Sequence, residues 1–229
     1  MAGYWYLLVF CGCVIQAAFI RYEYAEKPGA ALVLKGLASA VFVLLGFSLL
    51  PVCTDPYFGR LVTTGLIFGA IGDVLLALKL LLDGKTAQNV FMAGIAAFLA
   101  GHVLYIAALI TRDIGALWVG VPVCAVLSVA LLPFFILRRI EVEKNIKNFG
   151  IVYVVMILLM TGAAAGLLAI QPFNPGYLLF AVGAVFFTLS DIVLIFALFG
   201  KKKHQSFRAI NLSAYYAGQV LIALSLMLV

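Results

Sequence analysis

Long apolar stretches separated by short polar breaks run along the whole chain. Eight such stretches occur, each near the roughly 20 residues that a helix needs to cross a bilayer. Their polarity does not alternate residue by residue, as it does in the strands of membrane barrels. Because backbone amides in lipid must be paired within the chain, we predict an all-α bundle of eight transmembrane helices. The predicted spans are 4–20, 32–50, 61–82, 90–110, 115–137, 149–170, 177–199 and 209–229.

Basic residues fall unevenly on the predicted loops. With eight spans, the loops and helix ends on one side carry 12 Lys and Arg residues, whereas those on the other side carry only Arg60 and Arg112. Basic residues accumulate on the cytoplasmic side of membrane proteins. The asymmetry therefore favours eight spans, with both termini on the non-cytoplasmic side. The 12 residues are Arg21, Lys27, Lys79, Lys85, Arg138, Arg139, Lys144, Lys147, Lys201, Lys202, Lys203 and Arg208.

Composition supports the membrane assignment. The 229 residues are 66% hydrophobic and 10% charged, whereas soluble domains are roughly 45–50% apolar and about 25% charged. No polar break is long enough to hold a soluble domain, so we expect one integral membrane domain over 1–229. The first span lacks the features of a cleaved signal peptide and is interpreted as retained. Topology accounts for the net charge of +6, so no nucleic-acid partner is expected.

Short motifs recur in the two halves of the chain. A Gly-Asp pair at 72–73 is matched by Ser-Asp at 190–191, with the two aspartates 118 residues apart. A Gly-His pair at 101–102 is matched by Gly-Gln at 218–219, displaced by 117 residues. Parallel repeats of a membrane bundle produce such offsets. We therefore consider pseudo-repeats over 1–113 and 114–229, the alternative being a chance alignment of Leu- and Gly-rich segments.

Two aspartates lie deep inside predicted spans, Asp73 in the third and Asp191 in the seventh. An Asp at the centre of a spanning helix costs roughly 2.5–3.5 kcal/mol on insertion scales, so function usually explains its presence. At 1.5 Å per residue, both lie roughly 12–14 Å from the cytoplasmic ends of their helices. Gly65 and Gly69 precede Asp73 at four-residue intervals. Glycines on that face permit a close neighbour, so Asp73 should point into the bundle.

Other polar side chains lie near these acids in the predicted bundle. We assign His102 to catalysis with the two aspartates, although it could instead hold the bundle together by a hydrogen bond to Asp73. Lys35, one turn into the second span, could bind a lipid phosphate or extend to the interface. The remaining polar side chains are interhelical hydrogen-bonding groups or substrate-binding residues. They are Tyr105, Ser190, Tyr215, Tyr216 and Gln219.

Cofactor and metal chemistry find no support in the sequence. Zinc hydrolases usually present three protein ligands, whereas this chain has two histidines, one of them in the basic loop after the seventh span. Its four cysteines lack metal-ligand spacing. Serine nucleophile elbows and P-loops are absent as well. We predict no metal and no cofactor, which leaves two carboxyl groups and a histidine in a medium of low dielectric constant.

The motifs, in their order and spacing, resemble the YhhN family of membrane proteins. The resemblance rests on Asp73 after glycine, His102 with Tyr105, Asp191 after serine, and Tyr216 with Gln219 in the last span. It covers essentially the whole chain. It implies a lysoplasmalogenase, an enzyme that cleaves the vinyl ether bond of lysoplasmalogens to a fatty aldehyde and a glycerophospho-headgroup. The partner would then be a lysophospholipid within the membrane, which is the inner membrane in a bacterium or the endoplasmic reticulum in a eukaryote.

Vinyl ether hydrolysis needs the groups that the spans contain. A proton is added to one carbon of the double bond, and water captures the resulting oxocarbenium ion. Burial favours the protonated form of a carboxyl group, and two nearby carboxyls disfavour double ionisation. Glycosidases divide acid and carboxylate roles in the same way. We predict that one of Asp73 and Asp191 is the acid and the other is ionised, without assigning which.

Three other functions compete with hydrolysis. A proton-coupled transporter would explain the repeat and the buried acids, although neither Asp-bearing span contains an interrupting proline. Intramembrane aspartyl proteases also use two aspartates, one in a Gly-x-Gly-Asp motif, but Ile71 stands here where that motif has its first glycine. A structural or lipid-binding role leaves the two acids unexplained.

Overall fold

A computed structural model describes residues 4–24, 27–137, 144–199 and 205–229. In these ranges the protein forms eight α-helices and two single turns of 3₁₀-helix, Leu50–Val52 and Lys79–Leu81. The basic loop segments 138–143 and 200–204 lie outside the described residues. The helices are α1 (Trp5–Tyr24), α2 (Pro28–Leu49), α3 (Pro56–Leu78), α4 (Gly84–Arg112), α5 (Gly115–Leu137), α6 (Lys144–Ile170), α7 (Pro175–Phe199) and α8 (Gln205–Ser225).

Six of the described helices are long and apolar enough to cross a bilayer, namely α1, α2, α3, α4, α6 and α7. This confirms a multi-pass helical membrane protein. The described apolar segment of α5, Gly115–Val129, is shorter. Helix α8 is the least apolar of the eight because buried polar residues such as Asn211 and Gln219 lie on it. The predicted count of eight spans and the sides of the termini stay predictions.

Two helices begin earlier than the predicted spans, and at α3 a side-chain cap explains the difference. Helix α3 begins at Pro56, five residues before the predicted span, because Asp55 caps it. The Asp55 carboxylate accepts the backbone N–H groups of Tyr57 at 2.9 Å and Phe58 at 3.0 Å. Proline suits this first helical position, where its missing N–H is not needed. Helix α4 also begins before its predicted span, at Gly84, although the side chain of Asp83 at its N-cap forms no capping hydrogen bond.

Consecutive helices pack as antiparallel pairs, α1 with α2, α3 with α4, α5 with α6 and α7 with α8. Among the contacts between the predicted halves, two correspond to each other: α4 packs on α6, and α8 packs on α2. The core contains large, fully buried side chains such as Phe42, Phe58, Tyr105, Phe180 and Phe187. Polar side chains are buried among them, near the middle of the bundle.

Small residues let the helices of two pairs approach closely. A Cβ atom at Gly101 of α4 would lie 3.1 Å from the carbonyl oxygen of Gly65 on α3. A Cβ atom at Gly218 of α8 would lie 2.8 Å from the carbonyl oxygen of Gly183 on α7. Residues 65 and 183 are 118 apart, and residues 101 and 218 are 117 apart. A repeat would produce this correspondence, although the domain division itself stays a prediction.

Candidate active site

Asp73 of α3 is buried and accepts hydrogen bonds from two neighbouring helices. Its Oδ2 atom accepts the hydroxyl of Ser39 on α2 at 2.6 Å and that of Tyr215 on α8 at 2.9 Å. Its Oδ1 atom lies 3.2 Å from the Nζ atom of Lys35 on α2. Lys35 and Ser39 are four residues apart, so one face of α2 presents both donors. Three donors, one of them a cation, favour the ionised form of Asp73.

Further hydrogen bonds hold in place the groups that donate to Asp73. Tyr216 lies 2.9 Å from the Ser39 hydroxyl and donates to the backbone carbonyl of Lys35 at 3.2 Å. Gln219 donates from Nε2 to the Tyr215 hydroxyl at 3.1 Å, and its Oε1 atom accepts the hydroxyl of Tyr105 at 2.8 Å. The chain of bonds therefore runs from α4 through α8 to Asp73.

Asp191 of α7 has different surroundings. Its Oδ2 atom accepts the hydroxyl of Tyr153 on α6 at 2.7 Å, and Ser190 approaches Oδ1 at 3.4 Å. The side-chain amide of Asn211 on α8 donates to the carbonyl of Ser190 at 2.8 Å and to its hydroxyl at 3.0 Å. Within the described part of the chain, no Lys or Arg forms an ion pair with Asp191.

His102 of α4 has one ring nitrogen bonded and the other without a partner among the described residues. Its Nδ1 atom is 2.6 Å from the carbonyl oxygen of Phe98. Because a carbonyl only accepts, Nδ1 carries the proton and Nε2 presents a lone pair. The Nε2 atom is buried and has no hydrogen-bond partner among the described residues.

Aromatic rings connect the surroundings of the two acids. The Tyr215 ring packs edge-on against Phe187 at a centroid distance of 5.1 Å, and Phe187 packs against His102 at 4.8 Å. The His102 ring is then 5.5 Å from the ring of Tyr153. Tyr215 bonds to Asp73 and Tyr153 bonds to Asp191, so this series of rings links the two acids. The structure thus places the two acids and His102 in one buried cluster, which we call the acid cluster.

The structure gathers the residues that the sequence selected, but it changes the partners of two of them. Lys35 does not extend to the interface, because its ammonium group is buried in the pair with Asp73. His102 does not bond to Asp73, because its Nδ1 atom already donates to the carbonyl of Phe98 within its own helix. The predicted residues are all buried. They are Lys35, Asp73, His102, Tyr105, Ser190, Asp191, Tyr215, Tyr216 and Gln219.

Sequence analysis missed Ser39, Tyr153 and Asn211. A neutral polar residue within an apolar span is common as interhelical hydrogen bonding, so residue type alone gave no signal. The position of Tyr153 did give a signal, because Tyr153 follows Lys35 by 118 residues, which is also the offset between the two aspartates. In each half, the second helix therefore presents a side chain to the acid of the third helix, Lys35 to Asp73 and Tyr153 to Asp191.

Other features of the described chain do not belong to the acid cluster. No group of three His, Cys, Asp or Glu residues that could hold a metal ion occurs in the described ranges. An apolar groove of about 510 Å³ lies between α2 and α3, lined by residues such as Gly36, Ala40 and Val74. These residues adjoin Lys35, Ser39 and Asp73 in sequence but occupy other faces of the helices. The groove is therefore separate from the acid cluster.

A second ionic cluster lies at the opposite end of α3. Arg112 at the end of α4 pairs with Asp55 and donates from Nε to the hydroxyl of Tyr177 on α7 at 2.7 Å. The backbone N–H of Phe58 and the Arg112 guanidinium both hold the pKa of Asp55 below its ordinary value. Burial raises the pKa of the nearby Cys53 thiol, which makes it a poor nucleophile. This cluster joins three helices and has a structural role.

Comparison with models of protein families assigns the chain to one family. The model of the YhhN family matches residues 30–226, which is most of the sequence. The chain belongs to the YhhN family. This YhhN match extends from the beginning of α2 through α8 and includes every residue of the acid cluster, whereas α1 lies before it. No match was found among curated proteins or among solved structures.

Proposed function

We propose that this YhhN protein is a hydrolase that cleaves the vinyl ether bond of lysoplasmalogens to a fatty aldehyde and a glycerophospho-headgroup. The observation that carries the proposal is the pair of buried aspartates in unlike surroundings, with a histidine lone pair in the same cluster. Hydrolysis of a vinyl ether needs an acid, an ionised group and a site for water. The acid cluster contains residues suited to each task.

We assign the ionised role to Asp73 because of its contacts. The ammonium group of Lys35 and the hydroxyls of Ser39 and Tyr215 all donate to it. A buried carboxylate with a cationic partner and satisfied lone pairs is stable as an ion, whereas protonation would leave the Lys35 charge uncompensated. In the reaction, Asp73 stabilises positive charge on the substrate.

Asp191 is then the acid. It accepts one short hydrogen bond, from Tyr153, and no described cation neutralises it. Burial without a cation favours the protonated carboxyl group. The negative charge of Asp73 nearby acts in the same direction. Tyr153 orients the carboxyl group so that its proton faces the substrate.

The reaction proceeds in three balanced steps. Asp191 gives its proton to the carbon of the double bond remote from oxygen, and the π electrons form the new C–H bond. The adjacent carbon and the ether oxygen then share a positive charge, which Asp73 stabilises, and water adds to that carbon while its proton passes to Nε2 of His102. Finally the proton on His102 is transferred to the ether oxygen as the C–O bond breaks, and the hemiacetal hydroxyl loses its proton to the Asp191 carboxylate. Aldehyde and alcohol leave, and both residues regain their starting states.

The residues expected to bind substrate act instead on the acids in this proposal. Tyr216 bonds to Ser39 and to the backbone carbonyl of Lys35, and Gln219 bonds to Tyr215. Tyr105 bonds to Gln219 and so supports Tyr215 indirectly. Ser190 is held by Asn211 beside Asp191. These side chains position the catalytic groups. We propose a lysophospholipid as the membrane partner and the inner membrane or endoplasmic reticulum as the location.

A panel of three lipids tests the proposal. Purified protein in detergent or liposomes is given a lysoplasmalogen, its saturated alkyl ether analogue and the corresponding ester lysophospholipid. Because only the vinyl ether forms an oxocarbenium ion on protonation, we expect aldehyde from the first lipid and no product from the other two. Release of fatty acid from the ester, or no turnover of any lipid, would contradict the proposal.

Proton-coupled transport is the second candidate, and the buried Lys35–Asp73 pair favours it because such pairs relay protons in transporters. Proton-dependent uptake into liposomes without lipid turnover would support it. An aspartyl protease fits the site less well, since its two carboxyls share one proton, whereas Asp73 is paired with a lysine. Absence of peptide cleavage is therefore expected.

A further inference from the structure

Gln16 of α1 is a buried amide that nothing in the acid cluster uses. Its side chain is 7% exposed, and neither Oε1 nor Nε2 has a hydrogen-bond partner within the described ranges. The neighbouring Cys13, Val14 and Ala17 are exposed on the outer side of the same helix. Burying an amide without partners costs free energy that an apolar residue would avoid. A polar group from a bound molecule would satisfy it.

The face of α1 that carries Gln16 packs against α2 next to the acid cluster. Gly12, Gln16 and Phe19 are spaced by four and three residues and therefore share one face. A Cβ atom at Gly12 would lie 2.9 Å from Cγ1 of Val41, and the Phe19 ring is 5.7 Å from Nζ of Lys35. Gln16 thus faces the part of α2 between residues 35 and 41, which contains Ser39.

The register between α1 and α8 gives the same location. Glu23 pairs with Arg208, and Phe19 belongs to the same buried cluster as Leu212. Phe19 precedes Glu23 by four residues on α1, and Leu212 follows Arg208 by four residues on α8. The two helices therefore run antiparallel. One further turn places Gln16 level with 215–216, where Tyr215 donates to Asp73 and Tyr216 contacts Ser39. The unpartnered amide therefore lies at the level of Asp73, at the seam between α1, α2 and α8.

We propose that Gln16 binds the free glycerol hydroxyl of a single-chain glycerolipid and so selects it over two-chain lipids. A hydroxyl group both donates and accepts, which matches Oε1 and Nε2 of one amide. In a lysoplasmalogen this hydroxyl is on the carbon next to the one that carries the vinyl ether oxygen. The residue that recognises it must therefore lie near the acid cluster, and Gln16 lies at the level of Asp73 in that cluster. The inference rests on the proposed function for its substrate class.

A binding measurement separates this role from catalysis. The probes are a saturated alkyl lysophospholipid, which the protein does not cleave in our proposal, and the same lipid with the hydroxyl converted to a methyl ether. We expect the wild type to bind the free hydroxyl about tenfold more tightly, the effect of one buried hydrogen bond. Gln16→Leu should bind both lipids equally. Val14→Leu, on the exposed side of α1, serves as the control and should keep the wild-type preference.

Thermal unfolding without lipid distinguishes ligand binding from a structural role. Gln16→Leu removes two polar atoms without described partners, so its Tm should equal or exceed that of the wild type. If Gln16 held the helices together, Tm would fall. Methionine has nearly the same length and flexibility as glutamine. If leucine disturbs packing, the Tm of Gln16→Met is compared with that of the wild type instead.

The outcomes bear on the two proposals separately. Absence of a preference in the wild type, or a tenfold preference that persists in both Gln16 variants, would overturn the role of Gln16. A preference that depends on Gln16 supports it, even if lysoplasmalogen yields no aldehyde. In that last case the hydrolase proposal fails while the hydroxyl site stands.

Discussion

Asp73 and Asp191 are the same residue type in corresponding places, but their hydrogen-bonding neighbours differ, and our proposal gives them different roles for that reason. Lys35, Ser39 and Tyr215 all donate to Asp73, whereas Asp191 has one short bond, from Tyr153. Sequence predicted the two acids because carboxyl groups are rare inside spans. It did not predict their division of labour, since the deciding neighbours come from other helices.

Replacement of either acid by asparagine should remove activity for different reasons. Asp191→Asn has no proton to give, so we expect kcat to fall by at least about 100-fold, the usual range for loss of a general acid. Asp73→Asn leaves the Lys35 charge without a partner, so it should also lower thermal stability.

Both variants are measured for aldehyde release and for Tm in the same detergent. Lys35→Met with Asp73→Asn removes both charges together and should recover much of the lost Tm without recovering turnover. A fully active Asp191→Asn variant would exclude Asp191 as the acid.

Tyr153 is expected to affect turnover rather than substrate binding. Tyr153→Phe removes the 2.7 Å hydrogen bond that orients Asp191 but keeps the ring that packs against His102. We predict a fall of about tenfold in kcat with little change in KM, the effect of one lost hydrogen bond. Tyr57→Phe, at an exposed tyrosine of α3, is the matched control. A rise in KM at constant kcat would show that Tyr153 binds substrate instead.

At the scale of elements, hydropathy predicted every helix, while the ends and the contacts needed side-chain detail. The end of α3 depends on the cap at Asp55, which a hydropathy pattern does not detect. Gly65 and Gly69 predicted a close approach on the face of Asp73, and the Tyr105 ring and Gln219 do pack against them. Which helix would approach could not be read from glycine spacing alone.

Adding a methyl group at the glycine contact between α7 and α8 should destabilise the protein. In Gly218→Ala, the new Cβ would lie 2.8 Å from the Gly183 carbonyl oxygen and 3.0 Å from the Phe187 nitrogen. Backbone atoms cannot move aside cheaply, so we expect a loss of about 1–3 kcal/mol, measured by unfolding in detergent. Gly36→Ala is the control, because its Cβ would be at an ordinary 3.7 Å from Val74. Equal stabilities of the two variants would contradict this packing.

The Asp55 cap should make stability depend on acid pH. The folded protein holds the pKa of Asp55 below its ordinary value, chiefly through the N–H of Phe58 and also through Arg112. The ionised form therefore contributes stability at neutral pH, and this contribution is lost as pH falls below about 4. Asp55→Ala should be about 1–2 kcal/mol less stable at pH 7. The difference from wild type should shrink on acidification, whereas a constant difference would argue against an ionised cap.

At the scale of the whole molecule, the site forms where the two halves meet. Asp73 takes Tyr215 from α8, and His102 from α4 packs between Phe187 of α7 and Tyr153 of α6. The repeat offset could have indicated Tyr153 from the sequence. The pairing of Lys35 with Asp73 and the free Nε2 of His102 could not be predicted, because each depends on how helices from both halves pack.

The position of the proton added to the substrate shows whether Asp191 acts as the acid. Lysoplasmalogen is hydrolysed in D₂O, and the fatty aldehyde is reduced at once to the alcohol and analysed by mass spectrometry. Proton transfer from Asp191 to the double bond predicts one deuterium on the carbon next to the former aldehyde carbon, and no such product from Asp191→Asn. Aldehyde without that deuterium, or labelled aldehyde from Asp191→Asn at the wild-type rate, would contradict the mechanism.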